Sequence, residues 1–213
     1  MRSLNLSTLA ATLLLSMVSS PTKAMDIGLS LESGIVGTSG EAWSIVGGSG
    51  IDTLGVGGAL GLNDNLQVIA SVNLGAKGAK NYLSDSGAPG DTEGFVASLI
   101  LAQINAGVRY DLLPESNWIP FAAARGEVLL GNMRIDDDLL HEDNMNQIEQ
   151  SAMSAGGSLG LGVAWQGNVS RINSTLRVEL EGGFGVASAL SLGEFGDLSV
   201  GGSRMRGSVG VLF

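Results

Sequence analysis

Cysteine is absent from all 213 residues, so neither disulfides nor thiolate metal sites hold this fold. Basic residues are scarce, 11 Lys plus Arg against 21 Asp plus Glu, for a formal charge of −10. With no basic cluster, nucleic acid is excluded as a partner, and electrostatic docking onto anionic lipid is disfavoured. Histidine occurs once, proline four times, and aromatics make up 5% of the chain. After residue 24 no stretch approaches the roughly 18 uncharged apolar residues of a membrane-spanning helix. A bilayer would therefore have to be crossed by strands closed into a barrel, which alone pairs every backbone group without helices.

Glycine is abundant, 33 residues, yet 44% of the chain is hydrophobic, too apolar for a disordered glycine-rich polymer. The glycines must sit inside ordered structure. At the N-terminus, Arg2 precedes a short apolar stretch from Leu4 to Val18, and Thr22 and Ala24 precede Met25 with the spacing of a cleavage site. The segment predicts a cleaved secretory signal over 1–24 and a single domain over 25–213.

Within that domain, alternation with period 2 recurs. Ile27, Leu29 and Leu31 alternate with Asp26, Gly28, Ser30 and Glu32. Further strands are predicted over Leu54–Leu62, Leu66–Leu74, a run ending at Tyr110, Trp118–Leu130, Leu159–Trp165, Leu176–Glu181 and a last strand ending at Phe213. Short turns at 63–65, 111–117 and 167–169 alternate with long excursions at 34–52, 75–94, 131–150 and 188–203. Outer-membrane barrels put short turns in the periplasm and long loops outside. The pattern predicts an all-β, eight-stranded, antiparallel up-and-down transmembrane β-barrel; a ten-stranded form would need Trp43 to sit in a hairpin of its own. Tyr110, Trp118, Trp165 and Phe213 all fall beside the short turns, where an interfacial aromatic belt would lie. Trp43, Phe95 and Phe184 are candidates for the opposite girdle.

On the last strand Met205, Val209, Val211 and Phe213 share one face while Arg204, Arg206 and Ser208 share the other. This resembles the C-terminal strand of bacterial outer-membrane barrels, whose terminal aromatic is read by the barrel-assembly machinery. The whole chain resembles the OmpA membrane domain and OmpX-like proteins and, through Leu54–Leu74 and Ile104–Tyr110, the YfaZ type. These resemblances imply residence in the bacterial outer membrane, with outer-membrane lipids, lipopolysaccharide and the assembly machinery as partners. Unlike OmpA, no periplasmic peptidoglycan-binding domain is expected beyond Phe213.

If the apolar faces meet lipid, the polar set turns inward: Arg109, Arg125, Glu127, Arg177, Glu179, Glu181, Arg204 and Arg206, with Asp26, Glu32, Gln67, Asn73, Gln103 and Asn105. Eight strands enclose only enough room for side chains, and ions at that density must pair. The expectation is a mixed charge network, with a narrow ion path as the alternative. Gly55, Gly57, Gly61, Gly160 and Gly162 would leave room for long Arg side chains from across the barrel, the alternative being a real cavity.

Chemistry is thinly represented. Resemblance to lipid A deacylases would require His and Ser two apart, but His141 is followed at that spacing by Asp143. A site built from Ser151 or Ser154 with His141 and Glu142 is not demanded by any spacing. Asp136, Asp137, Asp138, Glu142 and Asp143 lack the pattern of a calcium loop. Leu139, Leu140, Met145 and Ile148 suggest a short amphipathic segment among them. No catalytic residue, metal site or cofactor is therefore expected. The reading is a small non-enzymatic outer-membrane barrel with acidic surface loops and a structural or surface-interaction role; the alternatives are a narrow channel or a lipid A-modifying enzyme.

Overall fold

The computed structural model describes residues 26–47, 50–84, 92–137, 148–169 and 174–213. The strands are β1 (Ile27–Ser39), β2 (Gly50–Gly61), β3 (Leu66–Ser84), β4 (Thr92–Asp111), β5 (Trp118–Asp137), β6 (Ile148–Val169), β7 (Ser174–Ala187), the short β8 (Leu190–Ser191) and β9 (Asp197–Leu212). Among the described residues one helix, α1 (Glu41–Val46), joins β1 to β2, and one 3-10 turn spans Gly193–Phe195. Every neighbouring pair is antiparallel and consecutive, except that β7 pairs β9 directly, and β9 returns to pair β1. β8 pairs only the start of β9. The result is a closed barrel of eight strands with no free edge along its main wall.

Alternation fixes which side chain faces which way, because successive residues of a strand point to opposite sides of the sheet. Leu29, Leu31, Leu54, Val56, Leu74, Ile104, Leu159, Leu161, Leu180 and Met205 all stand exposed on the outer wall. No water-soluble protein presents so continuous an apolar girdle. On β5 it runs from Trp118 to Leu130, about 30 Å of height for strands tilted as in outer-membrane barrels. That is a bilayer's apolar thickness.

The strands run further than sequence alternation suggests. β3 and β4 consume most of the 75–94 excursion, β5 and β6 half of 131–150, and Gly167, Asn168 and Val169 end β6 in register with Leu176, Thr175 and Ser174 instead of forming a turn. The reason is a change of polarity at one level of the wall. On β5 the outward residues Val128 and Leu130 give way to Asn132 and Arg134, while the inward residues Arg125 and Glu127 give way to Leu129 and Met133, both fully buried. β4 changes likewise, from inward Gln103 and Asn105 to Leu101, Leu99 and Ala97. On β2, Ile51 is buried and Asp52 exposed above Thr53 and Leu54. Below this level lipid lies outside and charge inside; above it water lies outside and the interior is apolar.

The region expected as an outer loop, 34–52, extends the first two strands, β1 to Ser39 and β2 from Gly50, while Ala42, Ser44 and Val46 between them sit on α1 and not on a strand. Glu41 sits in its first turn, the Ser44 hydroxyl donates to the Glu41 carbonyl at 2.6 Å, and Gly40 (φ 109°) and Gly47 (φ 73°) bend the chain at either end. Gly40 lies so close to the Asp197 carbonyl that a Cβ would clash with it. Ala42, Trp43 and Val46 turn inward onto Ile51, Leu99, Leu101, Leu129 and Met133. The 188–203 excursion also folds inward, burying Leu190, Leu192, Phe195, Leu198 and Val200 against the same cluster. Trp43 is thus 5% exposed inside this core, neither a girdle residue nor part of a hairpin.

The expected signal segment 1–24, and Asp138, Leu139, Leu140, His141, Glu142, Asp143 and Met145, lie outside the described residues; so do the side chains of Phe95, Asp136, Asp137 and Ile148.

Candidate functional site: the charged lumen and its apolar seal

Below the apolar core the lumen is filled by ion pairs in two tiers. The lower tier centres on Asp111, the last residue of β4 and 2% exposed. Its Oδ1 accepts from Arg109 Nε at 2.6 Å, and its Oδ2 accepts from Arg177 Nη2 at 2.9 Å and Gln67 Nε2 at 3.1 Å. Glu179 Oε1 lies 2.7 Å from Arg177 Nε and also accepts from Arg109 Nη1, while its Oε2 accepts from the Ser208 hydroxyl at 3.1 Å. The Arg109 guanidinium stacks 3.6 Å from the Phe121 ring centroid. A planar cation can satisfy carboxylates at its edge while its face covers an aromatic ring.

The upper tier joins β4, β5, β6, β7 and β9. Glu127 accepts from Gln103 Nε2 at 3.1 Å, from the Ser158 hydroxyl and from Arg204 Nη1. Arg125 meets Glu181 as a two-pronged fork, with Nη2 donating to Oε2 at 2.6 Å beside the second prong. Arg206 lies 3.7 Å from Glu32, the loosest pair in the lumen. The paired set holds Arg109, Arg125, Arg177, Arg204 and Arg206 against Glu32, Asp111, Glu127, Glu179 and Glu181, so its charges cancel. Cancellation is what a low-dielectric interior demands of so many ions.

Glycine makes the space. A Cβ at Gly57 would strike the Glu32 carboxylate, at Gly160 that of Glu181, at Gly162 the Phe121 ring, and at Gly185 the Arg204 guanidinium. A cavity of about 60 Å³ lies between the tiers, bordered by Ser30, Ser71, Asn105, Arg177 and Arg206, and one of about 20 Å³ lies beside Arg204. These volumes hold a few water molecules. Asn73 and Asn105 both donate to the Ser71 hydroxyl oxygen, at 3.2 and 3.1 Å, and Asn105 Oδ1 is buried without a protein partner beside the larger cavity.

Of the ten charged residues expected inward, Arg109, Arg125, Glu127, Arg177, Glu179, Glu181, Arg204, Arg206 and Glu32 line one lumen, Asp26 is exposed just before β1, and Asp111 completes the pairings. Asp111 reads from the sequence as the start of a turn; the spacing Arg109-x-Asp111, two residues apart on one face, is the signal that places it inside. The belt aromatics Tyr110, Trp118 and Phe213 are exposed at the short-turn end, and Trp165, half-buried, pairs in register with Trp118. Phe184 stands exposed on the outer wall. Ser154 is buried and bonded to Ser188, and Ser151 is exposed and hydrogen-bonded by Asn132. Among the described residues no three His, Cys, Asp or Glu side chains converge as a metal site.

No known family model matches this sequence, and no curated protein matches it. Solved structures do. Ail, the attachment invasion locus protein of Yersinia pestis, in complex with the heparin analogue sucrose octasulfate, is 11% identical over 90% of this chain and 100% of its own, with a TM-score of 0.54. A second structure of Ail gives 11% identity, the same coverage and a TM-score of 0.51. Neisserial surface protein A is 17% identical over 87% of this chain and 95% of its own, at a TM-score of 0.44. A shared eight-stranded fold, joined to an outer wall that only lipid can cover, makes this chain a small β-barrel of the bacterial outer membrane.

Proposed function

We propose that this barrel is a sealed, non-enzymatic scaffold that presents its outer connections to a surface partner and conducts no ions. The observation that carries the reading is the double closure of the lumen. Trp43, Leu99, Leu101, Leu129, Met133 and Leu198, all at most 5% exposed, form a dry seal above two tiers of neutralised ion pairs. A pore needs a continuous wet path, and a packed apolar core offers none.

Function then falls to the outer end. The lumen's paired charges cancel, so the excess of acid lies elsewhere, with a concentration in Asp136, Asp137, Asp138, Glu142 and Asp143. Ail was crystallised with a sulfated sugar analogue. The acidic outer segments here favour a partner of the opposite sign, a cationic protein surface or divalent ions bridging to lipopolysaccharide phosphates.

Replacing residues 138–147 by a short glycine linker tests this on whole cells with fluorescent polylysine as the probe. Loss of binding with unchanged heat-modifiable gel mobility supports the scaffold reading. Undiminished binding, with the barrel still folded, contradicts it.

A further inference from the structure

The cavity between the two tiers is bordered by one cation whose partner is distant. Arg125 is engaged by Glu181 in its two-pronged fork, and Arg177 by Asp111 and Glu179. Arg206 lies 3.7 Å from Glu32, too long for a hydrogen bond. Three guanidinium groups, Arg125, Arg177 and Arg206, thus border this space against the carboxylates of Glu32 and Glu179. Of the three, Arg206 is the one with donors in reserve.

Hydrogen-bond balance across the cavity decides what those donors meet. Asn105, 1% exposed, turns Nδ2 to the Ser71 hydroxyl oxygen at 3.1 Å and leaves its own Oδ1 buried without a protein partner. The Ser71 oxygen also accepts from Asn73 at 3.2 Å, so among the described residues this hydroxyl accepts twice and donates to no acceptor. The other orientation of the same planar amide has the same shape and removes both defects. Oδ1 then accepts the Ser71 proton, and Nδ2 offers its hydrogens to the cavity. Asn105 on β4 and Arg206 on β9 thereby present donors to one space of about 60 Å³. The Ser30 hydroxyl borders it on the row between them, since Ser30 pairs Gly57, Gly57 pairs Ser71 and Ser71 pairs Asn105.

We propose that this cavity binds one monovalent anion of halide size, such as chloride, held by Arg206, Asn105 and Ser30 as an internal counter-ion that ties β9 to β4. Water answers the amide but not the reserve of charge on Arg206, and a buried cation needs an opposite charge or charge-assisted hydrogen bonds. The two carboxylates at the cavity leave room for a single negative charge. Glu179 is already held by Arg109, Arg177 and Ser208, and Glu32 accepts from Asn73 at 3.5 Å. The site lies beneath the apolar core, so it is independent of any partner at the outer end.

Anion identity, read against stability, tests the site. A ligand bound only by the folded state stabilises it in proportion to the logarithm of its concentration once that exceeds Kd. The urea midpoint of the refolded barrel should therefore climb by a constant step for each tenfold rise in chloride or bromide. It should stay flat in gluconate, too large for the cavity, at equal ionic strength. Asn105→Asp keeps the side chain's size but turns a carboxylate on the site, and should lose the halide slope. Crystals of the unaltered barrel grown in bromide should show anomalous scattering between Arg206 and Asn105, a readout that holds even where the variant fails to fold. An absent halide slope would overturn the proposal and leave water as the occupant. An equal slope in gluconate, a slope kept by Asn105→Asp, or a cavity without bromide would overturn it as well.

Discussion

Arg177 on β7 reaches across the lumen to Asp111 at the end of β4, closing a 2.9 Å hydrogen bond between residues 66 apart in sequence. Arg109 holds the other oxygen of the same carboxylate. Asp111 is therefore shared by two guanidinium groups, and neither can lose it without leaving a buried charge uncompensated.

The first prediction follows from that sharing. Asp111→Ala should destabilise the barrel by about 3–5 kcal/mol, the usual cost of breaking a buried ion pair from one side. Arg177→Ala should also lower the thermal midpoint of heat-modifiable gel mobility, and the double variant should lose less than the sum of the two. Additive losses would mean the two side chains act independently.

Glycine positions give a second contrast. Gly160→Leu places side-chain atoms where the Glu181 carboxylate sits in the grip of Arg125, so the fork must open. Gly182→Ala meets nothing within 4 Å. Urea titration of the two variants in bilayers should show a clear loss for the first and little change for the second.

The polarity change along the wall predicts a dependence on depth. Ile104→Arg, on the outer wall in register with Val128, should cost about 2–4 kcal/mol in a bilayer, whereas Asn132→Arg, above the apolar girdle, should cost about 0–1 kcal/mol. Equal costs in an unfolding titration would show that the girdle does not end where Leu130 gives way to Asn132.

Alternation with period 2 made the outer wall and the charged inner face legible, because Arg125 and Glu127 or Arg177 and Glu179 sit two residues apart between apolar neighbours. What escaped was the outer end. There Leu129, Gly131 and Met133 continue the parity of Arg125 but not its polarity, and the reversal reads as a loop when the outer face is assumed apolar throughout. Helix α1 escaped for a second reason: six residues between glycines carry too little helical periodicity to stand out, and it is the buried contacts of Trp43 and Val46 that hold it. Asp111 was hidden by its neighbours, since Leu112, Leu113 and Pro114 announce a turn.

In the proposed scaffold, apolar core and paired charges together seal the lumen. Planar-bilayer recording of residues 25–213, refolded and checked for heat-modifiable mobility, reads that seal as current. A sealed lumen gives a folded barrel without conductance steps. Reproducible steps whose size changes on Arg177 or Glu179 substitution would contradict it and establish an ion path through the network.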